Sequence, residues 1–230
     1  MQEMMETPKR VLIFAAHHDD ETIGCGGTVR KWADKGCQVH VCFMTNGDTG
    51  VEQSANADNI VETRINESKK AAKILGIQHL YNLGIPCQKV VNKQSIFHKV
   101  IQKIREVKPD LVMTHNSICK HRDHKRTSAI VEEACWKASE NILEELGEIH
   151  TIKDLWSFEI TDPHSNPDFV VDITDTYEWK WLAMNEYFSQ SGILGGIIEY
   201  IDGLSKVRGY SIGAERGESF TRIGKIPVKL

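Results

Sequence analysis

Five adjacent residues, His17-His18-Asp19-Asp20-Glu21, put two imidazoles and three carboxylates directly behind an apolar run, Val11 to Ala16. Side chains of this kind bind divalent cations or move protons, and a histidine and an aspartate three residues apart across a tight turn can point at one ion. A second cluster, His121-Arg122-Asp123-His124, follows another apolar run, Leu111 to Thr114. If both runs are strands of one parallel sheet, His17, Asp20 and His124 converge as three protein ligands, with a fourth position left for water. Three ligands plus water is the catalytic arrangement of zinc, whereas structural zinc sites are closed, usually by cysteines. An isolated HxxD is more often a helix cap beside a surface histidine; two such clusters behind two buried strands change that balance. Gly24-Cys25-Gly26-Gly27 is a poor phosphate loop, because the GxGxxG order is absent and charged residues stand where small ones are needed. The glycines are expected to let the backbone pass close to the ion.

The elements that must position these groups alternate. A strand at 11–16 is followed by a helix over 28–35 stopped at Gly36, a strand at 39–44, a helix over 64–75 stopped at Gly76, and a strand at 79–83. Ile96, Val100, Ile101 and Ile104 form a helical stripe that Pro109-Asp110 breaks before the strand at 111–114. A helix follows His124, a strand covers 169–171, and Thr174 is placed to cap a helix over 177–190. Residues 141–157 and 191–203 give no clear element. The order predicts an α/β fold: a Rossmann-like, mostly parallel sheet with helices on both faces and the active site at the C-terminal edge of the strands. The polar loop from Thr45 to Val61 exceeds the usual connection and is a candidate lid or a surface excursion.

Composition narrows the classes further. The 230 residues are 40% hydrophobic, enough for one core, so a single domain over 1–230 is expected. Lys+Arg total 28 against 32 Asp+Glu, and no basic block could track a phosphate backbone, which argues against nucleic acid. No apolar stretch is long enough to span a bilayer, and Met1 to Arg10 has no signal-peptide core, so a cytoplasmic location is expected. The six cysteines form no CxxC pair, several lie inside apolar segments, and they read as reduced core thiols, Cys87 and Cys119 excepted.

Ala16-His17-His18-Asp19-Asp20-Glu21 with the glycines to Thr28 resembles the opening signature of the LmbE-like or PIG-L superfamily of de-N-acetylases. Thr45-Asn46-Gly47-Asp48, Arg64 with Glu67, and His121-Arg122-Asp123-His124 match further family motifs; Lys180 with Ala183, Ser189-Gln190, Arg208-Gly209 and Glu218-Ser219-Phe220 match weaker ones. The resemblance implies removal of the acetyl group from an N-acetylglucosamine-type amino-sugar derivative, a small molecule, with one Zn²⁺ per chain or Fe²⁺ or Mn²⁺ in its place. It implies metal ligation by His17, Asp20 and His124, with Asp19 as general base and a protonated His121 facing the oxyanion. Asp123 would orient His121. Arg64 would reach substrate hydroxyls, and Glu67 and Asp48 stand with it as substrate-binding candidates. His18 and Arg122 replace prolines common in the family, and Cys87 and Cys119 also depart from it, which bears on substrate identity. An amidase acting on a thiol-type conjugate and a non-catalytic sugar- or metal-binding module remain as alternatives, and a homo-oligomer stays open.

Overall fold

The computed structural model describes residues 6–50, 59–190, 192 and 196–224. The central strands are β1 (Arg10–Ala15), β2 (Gln38–Thr45) and β4 (Leu111–His115), almost wholly buried and therefore apolar along both faces. With β3 (His79–Ile85), β5 (Asp154–Phe158), β6 (Phe169–Asp172) and β7 (Gly217–Arg222) they form a seven-stranded sheet ordered β3-β2-β1-β4-β5-β7-β6. The five strands from β3 to β5 are parallel, whereas β7 runs antiparallel to both β5 and β6.

Alternate residues of β1 serve two cores. Val11, Ile13 and Ala15 pack with residues of α1 (Asp20–Asp34), α2 (Ile60–Leu75), α5 (Tyr177–Met184) and α6 (Ile197–Tyr210). Leu12 and Phe14 face α3 (Gln94–Val107) and α4 (Arg122–Ala138), where they meet Val100, Ile101, Ile104, Ile130 and Val131. Each such fully buried side chain contributes about 1.5–3 kcal/mol relative to exposure. Two layers of helix therefore clamp a sheet whose central strands cannot shift without exposing an apolar face. The strand order reverses at β1, with β2 on one side and β4 on the other, which opens a crevice beyond their C-terminal ends.

Several expectations from the sequence need correction. Helix α1 begins at Asp20, eight residues before the expected helix, and kinks at Cys25 (φ −147°, ψ 18°). Its glycines serve packing, not the approach to an ion: a Cβ on Gly24 would lie 2.3 Å from Cδ2 of Phe158, and one on Gly27 would lie 2.8 Å from Ile173. Gly24→Ala is accordingly expected to cost about 1–3 kcal/mol by overpacking. Urea unfolding checks this, and an unchanged midpoint would show that Phe158 can yield. Thr174 does not cap α5; it lies in a short 3₁₀ turn, and its hydroxyl accepts the Arg216 N–H at 3.3 Å. Residues 197–203 belong to α6, and α5 ends at Met184 before a second 3₁₀ turn over Phe188–Gln190. Residues 51–58 of the expected lid lie outside the described residues.

Two long-range ties complete the frame. Glu218 of β7 closes the kink of α1: its carboxylate accepts the N–H groups of Gly27 (3.0 Å) and Thr28 (2.8 Å) and the Thr28 hydroxyl (2.6 Å), and pairs with Lys180 at 2.7 Å. Arg105, buried in α3, donates to the carbonyls of Ala138, Glu140, Ile142, Leu143 and Gly147, fixing a segment with little regular structure. All six cysteines are buried and free.

Candidate metal centre and its cavity

His17 leaves the end of β1, and Asp19 is the residue before α1, with φ 151° and ψ −26°. That backbone conformation is sparsely populated for a residue with a side chain and costs on the order of 1–3 kcal/mol. It sends the adjacent carboxylates of Asp19 and Asp20 to different neighbours. Asp20 turns toward the histidines: His17 Nδ1 lies 3.3 Å from its Oδ2 and His124 Nε2 lies 3.3 Å from its Oδ1. His17 Nδ1 and His124 Nε2 are 3.2 Å apart. Donor atoms on a tetrahedral zinc with bonds of about 2.0–2.1 Å stand about 3.3–3.4 Å from one another. Each of the three separations is close to one edge of such a site, the two to Asp20 ending on different oxygens of its carboxylate.

Its electrostatics favour a positive charge. Burial alone would lower the pKa of His17, but Asp20 and Asp123 outweigh it and hold the imidazole up at about 10. For His124, burial also lowers, and Asp20 raises the value to about 9. Asp20 is held well below the usual carboxylate range, because the three histidines around it outweigh its burial. His115, at the end of β4, stands 3.3 Å from Asp20, yet its Nε2 already accepts the Ala16 N–H at 2.8 Å. That lone pair is spent, and burial followed by His124 keeps the ring neutral, its pKa near 3. Among the described residues, two overlapping groups of donor atoms are close enough to hold one ion, His17 with His121 and His124, and Asp20 with His115 and His124; they share His124, and His/Asp donors suit a zinc-type ion.

Behind the triangle the arrangement differs from the expected one. The Asp123 carboxylate faces His17 Nε2 at 3.2 Å and accepts the Gln88 N–H at 2.7 Å. It therefore orients His17 and not His121, in the carboxylate–histidine pairing common behind metal ligands. What Asp123 gives His121 is its backbone N–H, which donates to Nδ1 at 3.3 Å as α4 begins. Burial, then His124 and His17, lower the His121 pKa to about 4, so the ring is neutral where a protonated one was expected. With Nδ1 accepting, its proton sits on Nε2.

A cavity of about 230 Å³ opens over the triangle, bounded by Asp19, Arg64, Gln88, His121, Thr161 and Gln190 among others. Arg64 lines it: one terminal nitrogen donates to Asp19 Oδ2 at 3.1 Å and to the His18 carbonyl at 2.9 Å, while its Nε has no hydrogen-bond partner among the described residues. Burial raises the Asp19 pKa, Arg64 opposes and Asp20 reinforces the rise, leaving it at about 6. Neither Glu67 nor Asp48 lines the cavity. Glu67 accepts both the N–H (2.8 Å) and the hydroxyl (2.7 Å) of Ser189, and Asp48 accepts the Cys87 N–H at 2.7 Å, so each braces a wall segment from behind. His18, in place of the proline, stacks on Phe43 at 4.0 Å and is held between Ser68 (2.7 Å) and Asn82 (3.0 Å). Burial, then Arg64, brings its pKa to about 3, which makes it a neutral structural residue. Gln88, Thr161 and His115 escaped the sequence reading. Of these only His115 had a signal, its place one residue beyond the expected strand.

The family model described as GlcNAc-PI de-N-acetylase (PIG-L) matches residues 12–135. A diacetylchitobiose deacetylase of Thermococcus kodakarensis is 26% identical over 204 residues, which cover 83% of this chain and 73% of the relative. A 4-oxalmesaconate hydratase of Pseudomonas putida is 24% identical over 218 residues, covering 85% and 83% of the two chains. Among solved structures, the N,N′-diacetylchitobiose deacetylase of Pyrococcus horikoshii superposes with a TM-score of 0.88 at 24% identity, over 96% of this chain and 86% of that one.

Proposed function

The chain belongs to the PIG-L, or LmbE-like, family of de-N-acetylases, and from that premise we propose that it is a metal-dependent hydrolase removing the acetyl group from an N-acetylglucosamine-type amino sugar. The observation that carries this reading is the triangle of His17, Asp20 and His124 beside Asp19 on the floor of one cavity. A zinc-type ion there would supply Lewis acidity toward the acetyl carbonyl and toward water. Asp19 accepts the proton of the attacking water and returns it to the leaving amine nitrogen, so that amide and water become acetate and amine. Arg64 keeps its carboxylate aimed at the cavity and its pKa within reach of neutrality. His121, through Nε2–H, donates to the carbonyl oxygen as negative charge develops on it. Gln88 and Gln190 offer amide groups to sugar hydroxyls from the cavity wall.

One ion per chain is expected, in a single domain acting in the cytoplasm; among the described residues no helix is long and apolar enough to cross a membrane. Elemental analysis should give about one zinc-type ion per chain, and His17→Ala or His124→Ala should each lose most of it. Full occupancy in both variants would mean the ligands are misassigned. Both imidazoles must shed protons to bind, so zinc affinity should rise with pH toward about 9–10. Acetate release from N-acetylglucosamine, its malate and inositol conjugates and diacetylchitobiose identifies the substrate. Activity confined to hydration of an unsaturated dicarboxylate would sink the deacetylase reading while leaving the metal site intact.

A further inference from the structure

We propose that Cys119 is a positioning residue for the cation: its sulfur holds His124 in the tautomer and orientation that turn Nε2 toward Asp20. This rests on the ligand assignment above. An imidazole that ligates through Nε2 carries its proton on Nδ1, and that buried N–H needs an acceptor. For His124 the partner is Cys119 Sγ, 3.3 Å from Nδ1 and itself buried in the loop between β4 and α4. On the opposite edge of the ring, Nε2 faces Asp20 and His17.

The donors beyond the sulfur run in one direction. Cys119 Sγ is also 3.3 Å from Thr161 Oγ1, and Thr161 donates its own proton to Asp162 Oδ2 at 2.9 Å. The Thr161 oxygen is therefore left to accept the S–H, which leaves the sulfur lone pairs to accept from His124. Asp162 closes the line by accepting the Lys120 N–H at 2.7 Å, next to Cys119 in the same loop. The S–H has acceptors in Thr161 and Asp162, and the line ties the loop after β4 to the segment after β5. His17 is backed by a carboxylate, and His124 by a sulfur in place of the carboxylate or carbonyl usual behind a metal-bound histidine.

Zinc affinity measured by competition with a chromophoric chelator tests this. Cys119→Ala should weaken binding by about 10–100-fold, the usual effect of losing such a partner. Cys119→Ser, which keeps an acceptor, should restore most of the affinity. Thr161→Val should weaken zinc less than Cys119→Ala does, and should add little in the Cys119→Ala background because both changes cut one line. In the cobalt-substituted protein no sulfur-to-cobalt charge-transfer band is expected, since the sulfur lies outside the coordination sphere. Asp20→Asn and His124→Ala serve as controls. If they lose zinc while Cys119→Ala binds as tightly as the parent protein, the proposal fails alone; if they keep full occupancy, the ligand assignment fails first. A sulfur-to-cobalt band, or full additivity of the Cys119 and Thr161 effects, also overturns it.

Discussion

Asp19→Asn should lower turnover of an N-acetylated amino sugar by about 10²–10⁴-fold, the range for loss of a general base, while the protein keeps its metal. Asp20→Asn should do the reverse in order, losing the ion first and activity with it. The two residues are neighbours and chemically identical; the backbone at Asp19 separates them, sending one carboxylate to Arg64 and the cavity and the other to His17 and His124. Asparagine keeps an acceptor for Arg64, so the wall of the cavity should survive the change. The pH profile adds a second readout. A base works in its ionised form, so the rate should climb as pH rises through about 6, and a bound cation shifts that limb lower by favouring the carboxylate. The limb should vanish in Asp19→Asn. Normal turnover of this variant at saturating zinc would transfer the base role to His121, because Glu21 is buried away from the cavity and held by Tyr187 and Thr22. Loss of metal from Asp19→Asn with retention in Asp20→Asn would invert the assignment.

Glu218→Ala should destabilise the fold by about 3–5 kcal/mol, the cost of leaving one member of a buried ion pair without its partner. Lys180 is 2% exposed and Glu218 4%, so water cannot replace the missing charge. The same change strips the acceptor from Gly27 and Thr28. Lys180→Met with Glu218→Gln removes both charges and keeps an acceptor on the helix, and should recover most of the loss. Urea unfolding of the three proteins decides it. A double variant as unstable as Glu218→Ala would place the cost in the α1 kink and not in the ion pair.

The parts of this protein that could be read from the chain are those where one local signal coincides with the global fold. Val11 to Ala16 and Leu111 to Thr114 are apolar because both faces of β1 and β4 are covered, and that pattern alone locates the two strand ends where His17, Asp20 and His124 meet. β7 is not legible because its buried polar residues are satisfied from afar: Glu218 by Lys180, Ser219 by His164. No window of sequence contains those partners. Residues 141–147 were illegible for a similar reason, since their carbonyls are gathered by Arg105, more than thirty positions earlier. Spacing also places a residue without giving its direction. The sequence pairs Asp123 with His121, whereas its carboxylate faces His17, and it does not show that Arg64 also holds Asp19.

Glu218 reaches back 190 residues to Thr28. On a ribosome adding ~5–20 residues per second, the helix bearing Asp19 and Asp20 waits about 10–40 s for the carboxylate that closes its kink. Until then a nascent chain holds Lys180 without its counter-charge and α1 without its second anchor. Competence to retain metal should therefore arrive only when residue 218 is free of the ribosome, which for a stalled chain needs a linker fused behind residue 230 long enough to carry it out of the exit tunnel. Chains stalled on either side of that point and challenged with protease should differ sharply in the protection of α1.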